Sequence, residues 1–197
     1  MSATGRNLEG SERRADDFYA TPAWCVRALL KSCVLPGGSW LEPTAGNGAI
    51  ARAVLELRDD VRWRLVESRG EERECLARIP TTNSVWYPDV TIADFLKWER
   101  EDPTLYRVAL GNPPFSLALE VIQHAMTMSH VVCMLLRVNF LASQKRATWM
   151  RENTPSIYVL PRRPSFTNKG TDATEYAWFV WGLEPARVVI LNPADGR

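Results

Sequence analysis

Trp40-Leu-Glu-Pro-Thr-Ala-Gly-Asn-Gly48, followed by Ala49-Ile-Ala-Arg-Ala-Val-Leu-Glu-Leu57, decides how this chain folds. The first half reads as a short strand entering a turn, and the second as a strong helix. Gly46 and Gly48 let the backbone of that turn pass close to a ligand without side chains in the way, at the carboxyl end of a strand. Glycines also serve ordinary turns, so the next element carries the argument. Trp63-Arg-Leu-Val-Glu67 reads as a second strand ending in an acid, about 20 residues after the glycines, where a carboxylate commonly takes a ribose hydroxyl pair.

Upstream, Asp17-Phe-Tyr-Ala-Thr-Pro22 leads into a helix running to about Val34, with Thr21 as N-cap, Pro22 at its first position and Pro36-Gly37-Gly38 as the stop. Residues 1–16 are polar and aperiodic and read as a flexible N-terminal tail. Downstream, a helix is predicted from Glu71 to Arg78 and a weak third strand at Val85-Trp-Tyr87. Asp94-Phe95 follows. Asp94 fits two roles, a hydrogen-bond acceptor for the amino group of an adenine whose face Phe95 covers, or a plain helix cap.

The fourth strand, Tyr106-Arg-Val-Ala-Leu110, runs into Asn112-Pro-Pro-Phe115. Proline has no N–H and a fixed φ, so this corner is rigid, and the Pro113 carbonyl need not join a helix ladder. Asn112 adds a side-chain carbonyl. Two acceptors can converge on one –NH2 group while Phe115 offers a flat face to the ring that carries it. Asn-Pro and Pro-Pro are also everyday turn signals, so context decides. Ser116 reads as the cap of a helix with Leu117, Val121, Ile122 and Ala125 on one face.

Val131 to Leu136 is wholly apolar, as a central parallel strand should be. A basic helix over Leu141–Glu152, strands at Ser156–Leu160 and Glu175–Trp181, and a further edge strand at Arg187–Leu191 complete the order. A long polar loop, 161–172, joins the two strands of the last hairpin. Strands alternate with helices as far as residue 152 and then come in succession. That pattern predicts an α/β, doubly wound, mostly parallel seven-stranded sheet with an antiparallel edge hairpin. The Gly turn and the Asn-Pro-Pro-Phe corner then face one cleft.

The chain of 197 residues, 46% hydrophobic and 24% charged, fits one globular domain. It has no apolar h-region at its start and no apolar run long enough for a bilayer, so a soluble cytoplasmic protein without membrane contact is expected. Cys25, Cys33, Cys75 and Cys133 form no CxxC pair, which predicts no metal site and reduced, mostly buried thiols. His124 and His130 read as surface or packing residues. From Arg137 to Lys169 seven cations stand against Glu152 alone, a local +6 in a chain of net +1. That fits either a solvated helix and loop or a basic binding face.

Together Phe18-Tyr-Ala-Thr-Pro22, Leu41-Glu-Pro-Thr-Ala-Gly-Asn-Gly48, Glu67, Asp94-Phe95 and Asn112-Pro-Pro-Phe115 resemble the S-adenosylmethionine-dependent amino-methyltransferases that act on adenine in DNA. The motif order is similar to the gamma type and to small phage-like adenine methylases. The resemblance implies a Rossmann-like methyltransferase fold in a single domain, 17–197, with S-adenosyl-L-methionine as cofactor. Tyr19, Thr21 and Pro22 would lie beside its methionine end, with Glu42, Gly46 and Gly48 shaping the pocket and Asn112 bordering it. Glu67 would hold the ribose, and Asp94 with Phe95 the adenine.

Catalysis would fall to Asn112, Pro113 and Phe115 on a flipped base, with Phe166 as a second stacking ring and Arg162, Arg163 and Lys169 on phosphates. DNA is the expected partner. Gamma-type enzymes usually carry a target-recognition domain after the last strand, whereas this sequence ends soon after Trp181. Recognition is therefore expected from the 161–175 loop or a partner chain, unless it is slight. Two other readings share the corner or the fold: an amino-methyltransferase of RNA adenine or protein glutamine, and a silent nucleic-acid-binding subunit.

Overall fold

The computed structural model describes residues 20–80, 87–100, 102–166 and 173–192. A single eight-stranded sheet is built from β1 (Gly38–Glu42), β2 (Val61–Glu67), β3 (Asp89–Ile92), β4 (Tyr106–Gly111), β5 (Ser129–Arg137), β6 (Ser156–Val159), β7 (Tyr176–Trp181) and β8 (Val188–Ile190). Its order is β3-β2-β1-β4-β5-β7-β6-β8, with β1 to β5 parallel and β7 antiparallel between β5 and β6. The strand count is eight rather than seven, because Val188–Ile190 pairs parallel to β6 outside the hairpin.

Helices cover both faces. α1 (Ala23–Ser32), α2 (Ala49–Leu55) and α3 (Arg73–Ala77) bury Cys25, Leu29, Val54 and Leu76 in one core with Trp40, Val108, Cys133 and Trp178. α4 (Ala118–Met128) and α5 (Ala147–Glu152) close a second core around Leu41, Ala109, Met134 and Phe179. β5 lies between these layers, so all six residues from Val131 to Leu136 are buried and the strand shows no polar alternation. Trp178 of β7 donates its indole N–H to the Cys25 carbonyl at 2.8 Å, pinning α1 to the sheet.

Several local expectations change. α1 begins one residue after Pro22, which takes the cap position, so Thr21 is not its N-cap. Ser116 is no cap either, since Phe115–Leu117 forms a 3-10 turn and Leu117 precedes α4. The third strand is Asp89–Ile92; Tyr87 lies outside any strand, and Val85 and Trp86 fall outside the described residues. The Glu71–Arg78 helix is a 3-10 turn, Gly70–Glu72, followed by α3. The Leu141–Glu152 helix contracts to α5 behind a 3-10 turn at Val138–Leu141.

Cys25, Cys33 and Cys133 are buried and Cys75 is exposed, and all four are free thiols. Burial pushes the Cys25 and Cys133 thiols up, so both stay protonated. Among the described residues no group of His, Cys, Asp and Glu could hold a metal ion, and no helix is long and apolar enough to cross a membrane.

Candidate active site

β1, β2, β3 and β4 run parallel in register, so their carboxyl ends share one edge of the sheet. The turns leaving those ends enclose a cleft. Thr21, Glu42, Gly46, Glu67, Asp94, Phe95 and Asn112 all line it, along with Thr44, Arg69, Pro114 and Leu117. Pro22, Gly48, Pro113 and Phe115 do not line it, and Tyr19 and Lys169 fall outside the described residues, as does the tail 1–16.

The turn after β1 is built on two glycines of positive φ. Gly46 (φ 55°) and Gly48 (φ 76°) occupy the left-handed region that an L side chain rarely adopts. A Cβ on Gly48 would also run into Ile79 and Leu76. Ala45 N–H donates to the Val66 carbonyl at 2.9 Å, tying the turn to β2. Gly46 N–H donates to Glu67 Oε2 at 2.6 Å. The other oxygen, Oε1, accepts from Arg69 N–H (2.9 Å), from Arg69 Nε (3.0 Å) and from the Ser68 hydroxyl (3.3 Å). Glu67 is thus engaged on both oxygens by its own chain.

Glu42, at the end of β1, is buried to 1% exposure. It accepts from the Ala51 N–H in the first turn of α2, yet its Oε2 has no hydrogen-bond partner among the described residues. Burial holds its carboxyl well above the usual carboxylate range; the nearby Glu67 adds to that, and Arg52 opposes it. Asp94 takes the capping role the sequence allowed and also stands in the cleft wall. It lines the cleft, and its Oδ1 caps the 3-10 turn Phe95–Lys97 by accepting from Leu96 N–H at 3.1 Å. Phe95 is only 4% exposed, with its ring 4.8 Å from the His124 ring edge-on. His124 itself meets the Trp98 carbonyl at 3.0 Å, a packing role, and His130 is exposed.

Across the cleft, Asn112 follows β4 directly. Its Nδ2 donates to Thr21 Oγ1 at 3.1 Å, while its main-chain carbonyl lies 3.5 Å from the Thr44 hydroxyl. Leu117 N–H donates to the Pro114 carbonyl at 3.0 Å, so the turn takes up that carbonyl and leaves the buried Pro113 out of the ladder. Gly111 is tightly packed, a Cβ there lying 3.2 Å from Pro43 and 3.4 Å from Met134 Sδ.

Beside the corner sits an aromatic group. The Phe115 ring lies 5.9 Å from Tyr176, and Phe166 meets Tyr176 edge-on at 5.2 Å. The guanidinium of Arg137 covers Phe115 at 4.2 Å while its Nε donates to the Tyr176 hydroxyl at 3.1 Å. Arg162 lies over the Trp24 ring at 4.7 Å, and Arg163 pairs with Glu175. Sequence reasoning missed Arg137, Tyr176 and Trp24. The available signal for Arg137 was its place immediately after the apolar run Val131–Leu136, as the last residue of β5.

No family model matches the chain, and no curated protein matches it in sequence. Solved structures do match. The type I restriction-modification methyltransferase subunit of Streptococcus thermophilus aligns with a TM-score of 0.64 at 15% identity, over 85% of this chain and 45% of that one. A Vibrio vulnificus protein described as the modification subunit of a type I restriction enzyme gives 0.62 at 18% identity, over 88% and 46%. A Pyrococcus horikoshii protein described as an RNA methyltransferase gives 0.60 at 15% identity, over 84% of each chain. The chain therefore spans about half the length of the two type I subunits and most of the length of the third. These likenesses define its fold as the Rossmann-like methyltransferase fold.

Proposed function

We propose that this chain, as a single domain over residues 17–197, transfers a methyl group from S-adenosyl-L-methionine to the exocyclic amino group of adenine in DNA. One observation carries the reading. The Asn112 amide stands at the carboxyl end of β4, its nitrogen engaged by Thr21, across one cleft from the glycine turn and Glu67. The likeness to the type I methyltransferase subunit adds support for the class of reaction.

The residues present fit the cofactor. The turn presents Gly46 to the cleft without a side chain, so a ligand can approach the backbone there, and Glu67 at the end of β2 stands where a ribose would meet a carboxylate. Because Gly46, Ser68 and Arg69 already occupy Glu67, the ribose hydroxyls replace the Ser68 and Arg69 side-chain donors, while the Gly46 hydrogen bond keeps the turn in shape. Glu42, Asp94 and Phe95 complete the walls, and Thr21, just before Pro22, borders the end nearest Asn112. Tyr19 joins them in this reading. When bound, S-adenosyl-L-methionine supplies a methyl group on a sulfonium, which becomes a neutral thioether once the amine has taken the methyl.

The chain's own work is positioning. An adenine amino nitrogen is a weak nucleophile because its lone pair is delocalised into the ring. Asn112 Oδ1 and the Pro113 carbonyl accept its two hydrogens and favour a pyramidal nitrogen whose lone pair points at the methyl carbon. Fixed acceptors in a cleft shielded from water act without reorganisation at the moment of reaction. The base reaches this corner only when flipped from the duplex, a cost of a few kcal/mol that stacking on Phe115 partly offsets. Phe166 gives a second aromatic wall beyond Tyr176, and Arg162, Arg163 and Lys169 meet phosphates. Target recognition then lies with the 161–175 segment or with a partner chain.

Labelled methyl transfer to duplex DNA, total RNA and a protein extract, run in parallel, tests the proposal. Label in 6-methyladenine from DNA, reduced by roughly 10²–10³ in Asn112→Ala, is the expected result. Label confined to RNA or glutamine moves the substrate. No label in any pool, with cofactor bound, sinks the catalytic reading in favour of a silent subunit.

A further inference from the structure

We propose that Arg137 acts through Phe115: its guanidinium backs one face of the ring, sets the tilt of that ring and so assigns the other face to the target base. The inference rests on the methyl-transfer reading of this cleft. A phenyl ring on a single-bonded stem turns over a broad range and has two equal faces. A base stacked at the Asn112–Pro113 corner needs one plane and one face. The ring alone does not make that choice.

Phe115 opens the 3-10 turn Phe115–Leu117, directly after Pro114, and is half-buried. Tyr176 meets it at 5.9 Å with the ring planes 49° apart, a tilted contact. The group that lies over the ring is Arg137, whose guanidinium carbon is 4.2 Å from the ring centre. A guanidinium is flat, permanently charged and weakly hydrated, so it covers an aromatic face as a plane and leaves the ring free to shift within its own.

That guanidinium is placed from elsewhere in the fold. Arg137 is the last residue of β5 and stands opposite Tyr176 of β7, and Val138 N–H continues the pairing to the Glu175 carbonyl at 2.9 Å. Arg137 Nε donates to the Tyr176 hydroxyl at 3.1 Å, and Tyr176 is itself 1% exposed, with Phe166 edge-on at 5.2 Å. β4 thus delivers the corner, and the β5–β7 pair delivers the cation that backs its ring. Nothing in this assignment needs Arg137 to touch base or cofactor, so it is a positioning residue.

A double-mutant cycle on kcat/KM for methyl transfer to duplex DNA tests it, with Arg137→Met, Phe115→Ala and the pair. Arg137→Met keeps a long unbranched side chain and removes the fork and the charge. Alone it should lower kcat/KM by roughly three- to thirtyfold, the range of a cation–π contact. In the Phe115→Ala background, with no ring left to back, it should cost less than about twofold. Arg137→Lys keeps the charge without the planar fork, so it should recover little, and it carries the same cycle should Arg137→Met not fold. The Kd for S-adenosyl-L-methionine should stay within about twofold, as should the salt dependence of kcat/KM. Thermal unfolding of each variant separates these effects from loss of the fold.

An Arg137→Met enzyme with unchanged kcat/KM overturns the assignment, and so does a loss of the same size with and without Phe115. Full recovery by Arg137→Lys, or a salt slope shallower by about 1 in Arg137→Met, overturns it in favour of a phosphate contact. If the unsubstituted chain transfers no methyl to any substrate, the proposed function fails and takes this inference with it; if it transfers to DNA and only the cycle disagrees, Arg137 alone is misassigned.

Discussion

The two sides of the cleft are built from different interactions. Below the glycine turn, polar groups meet polar groups: Gly46 N–H on Glu67, Arg69 and Ser68 on the same carboxylate, Ala45 on β2. Beyond the Asn-Pro-Pro-Phe corner, rings meet rings and cations: Phe115 under Arg137, Tyr176 between Phe115 and Phe166 in tilted and edge-on contacts, Trp24 under Arg162. Hydrogen bonds between fixed partners tolerate little displacement, because their strength falls steeply with angle and distance. Stacked rings and cations slide at low cost. Under the proposed function the contrast suits an unchanging cofactor on one side and a polymer of many sequence contexts on the other.

Removing Glu67 should break the polar side most severely. Glu67→Ala takes away the proposed ribose acceptor and also leaves Gly46 N–H without its carboxylate, so the turn loses its shape at the same time. Hydrogen bonds to a charged group contribute about 1.5–3 kcal/mol, and a loss near the top of that range is roughly a hundredfold in cofactor Kd. Equilibrium binding of S-adenosyl-L-methionine measures it. An affinity within twofold of the unsubstituted chain would remove Glu67 from the ribose site.

Phe115→Ala tests the stacked side and should cost less, because Tyr176, Phe166 and Arg137 remain. Base–aromatic stacking is worth about 1–3 kcal/mol by alanine substitution, which places the loss in kcat/KM for DNA at roughly tenfold or somewhat more. Cofactor affinity should not change. Phe115→Trp, a ring with a larger face, should keep most of the activity where Ala does not. A Phe115→Ala variant that lost cofactor as well would mean that the two sides are not separable.

How much of this was readable beforehand depended on the distance over which each feature is encoded. The strand, turn and helix over residues 40–57, the acid ending β2 and the proline corner ending β4 are local patterns of periodicity and turn chemistry, and the parallel sheet follows from their order. Thr21 is readable as a cap and, by resemblance, as a neighbour of the cofactor, but its hydrogen bond with Asn112, 91 residues away, has no signal nearby in sequence. β3 was misplaced because Val85-Trp-Tyr87 has the stronger strand composition, whereas Asp89-Val-Thr-Ile92 is half exposed and is held by pairing with β2. Arg137, Tyr176 and Phe166 meet only because β5 and β7 pair with Arg137 opposite Tyr176. The charge count over 137–169 likewise does not reveal the local partners, Arg146 donating to the Phe140 carbonyl and Arg163 to Glu175.

Glu42 offers the finest test of the polar side, because it is the one acid there whose second oxygen has no described partner. Its carboxyl titrates above the ordinary range in the folded chain, chiefly because of burial, whereas in the unfolded chain it ionises near pH 4.3. Between those two values the folded state holds the extra proton, so its contribution to stability is greatest at low pH and is lost as pH rises through the folded pKa. Glu42→Gln has no such proton. It can still accept from Ala51 N–H, and its unfolding free energy should gain on that of the unsubstituted chain as pH is raised from about 5 to 8, by at most about 1.4 kcal/mol per pH unit, with the unfolding temperature following. Paired thermal melts across that range measure the difference directly. Parallel curves would mean that Glu42 is ionised in the fold, and that a cation or donor satisfies the oxygen that now faces none.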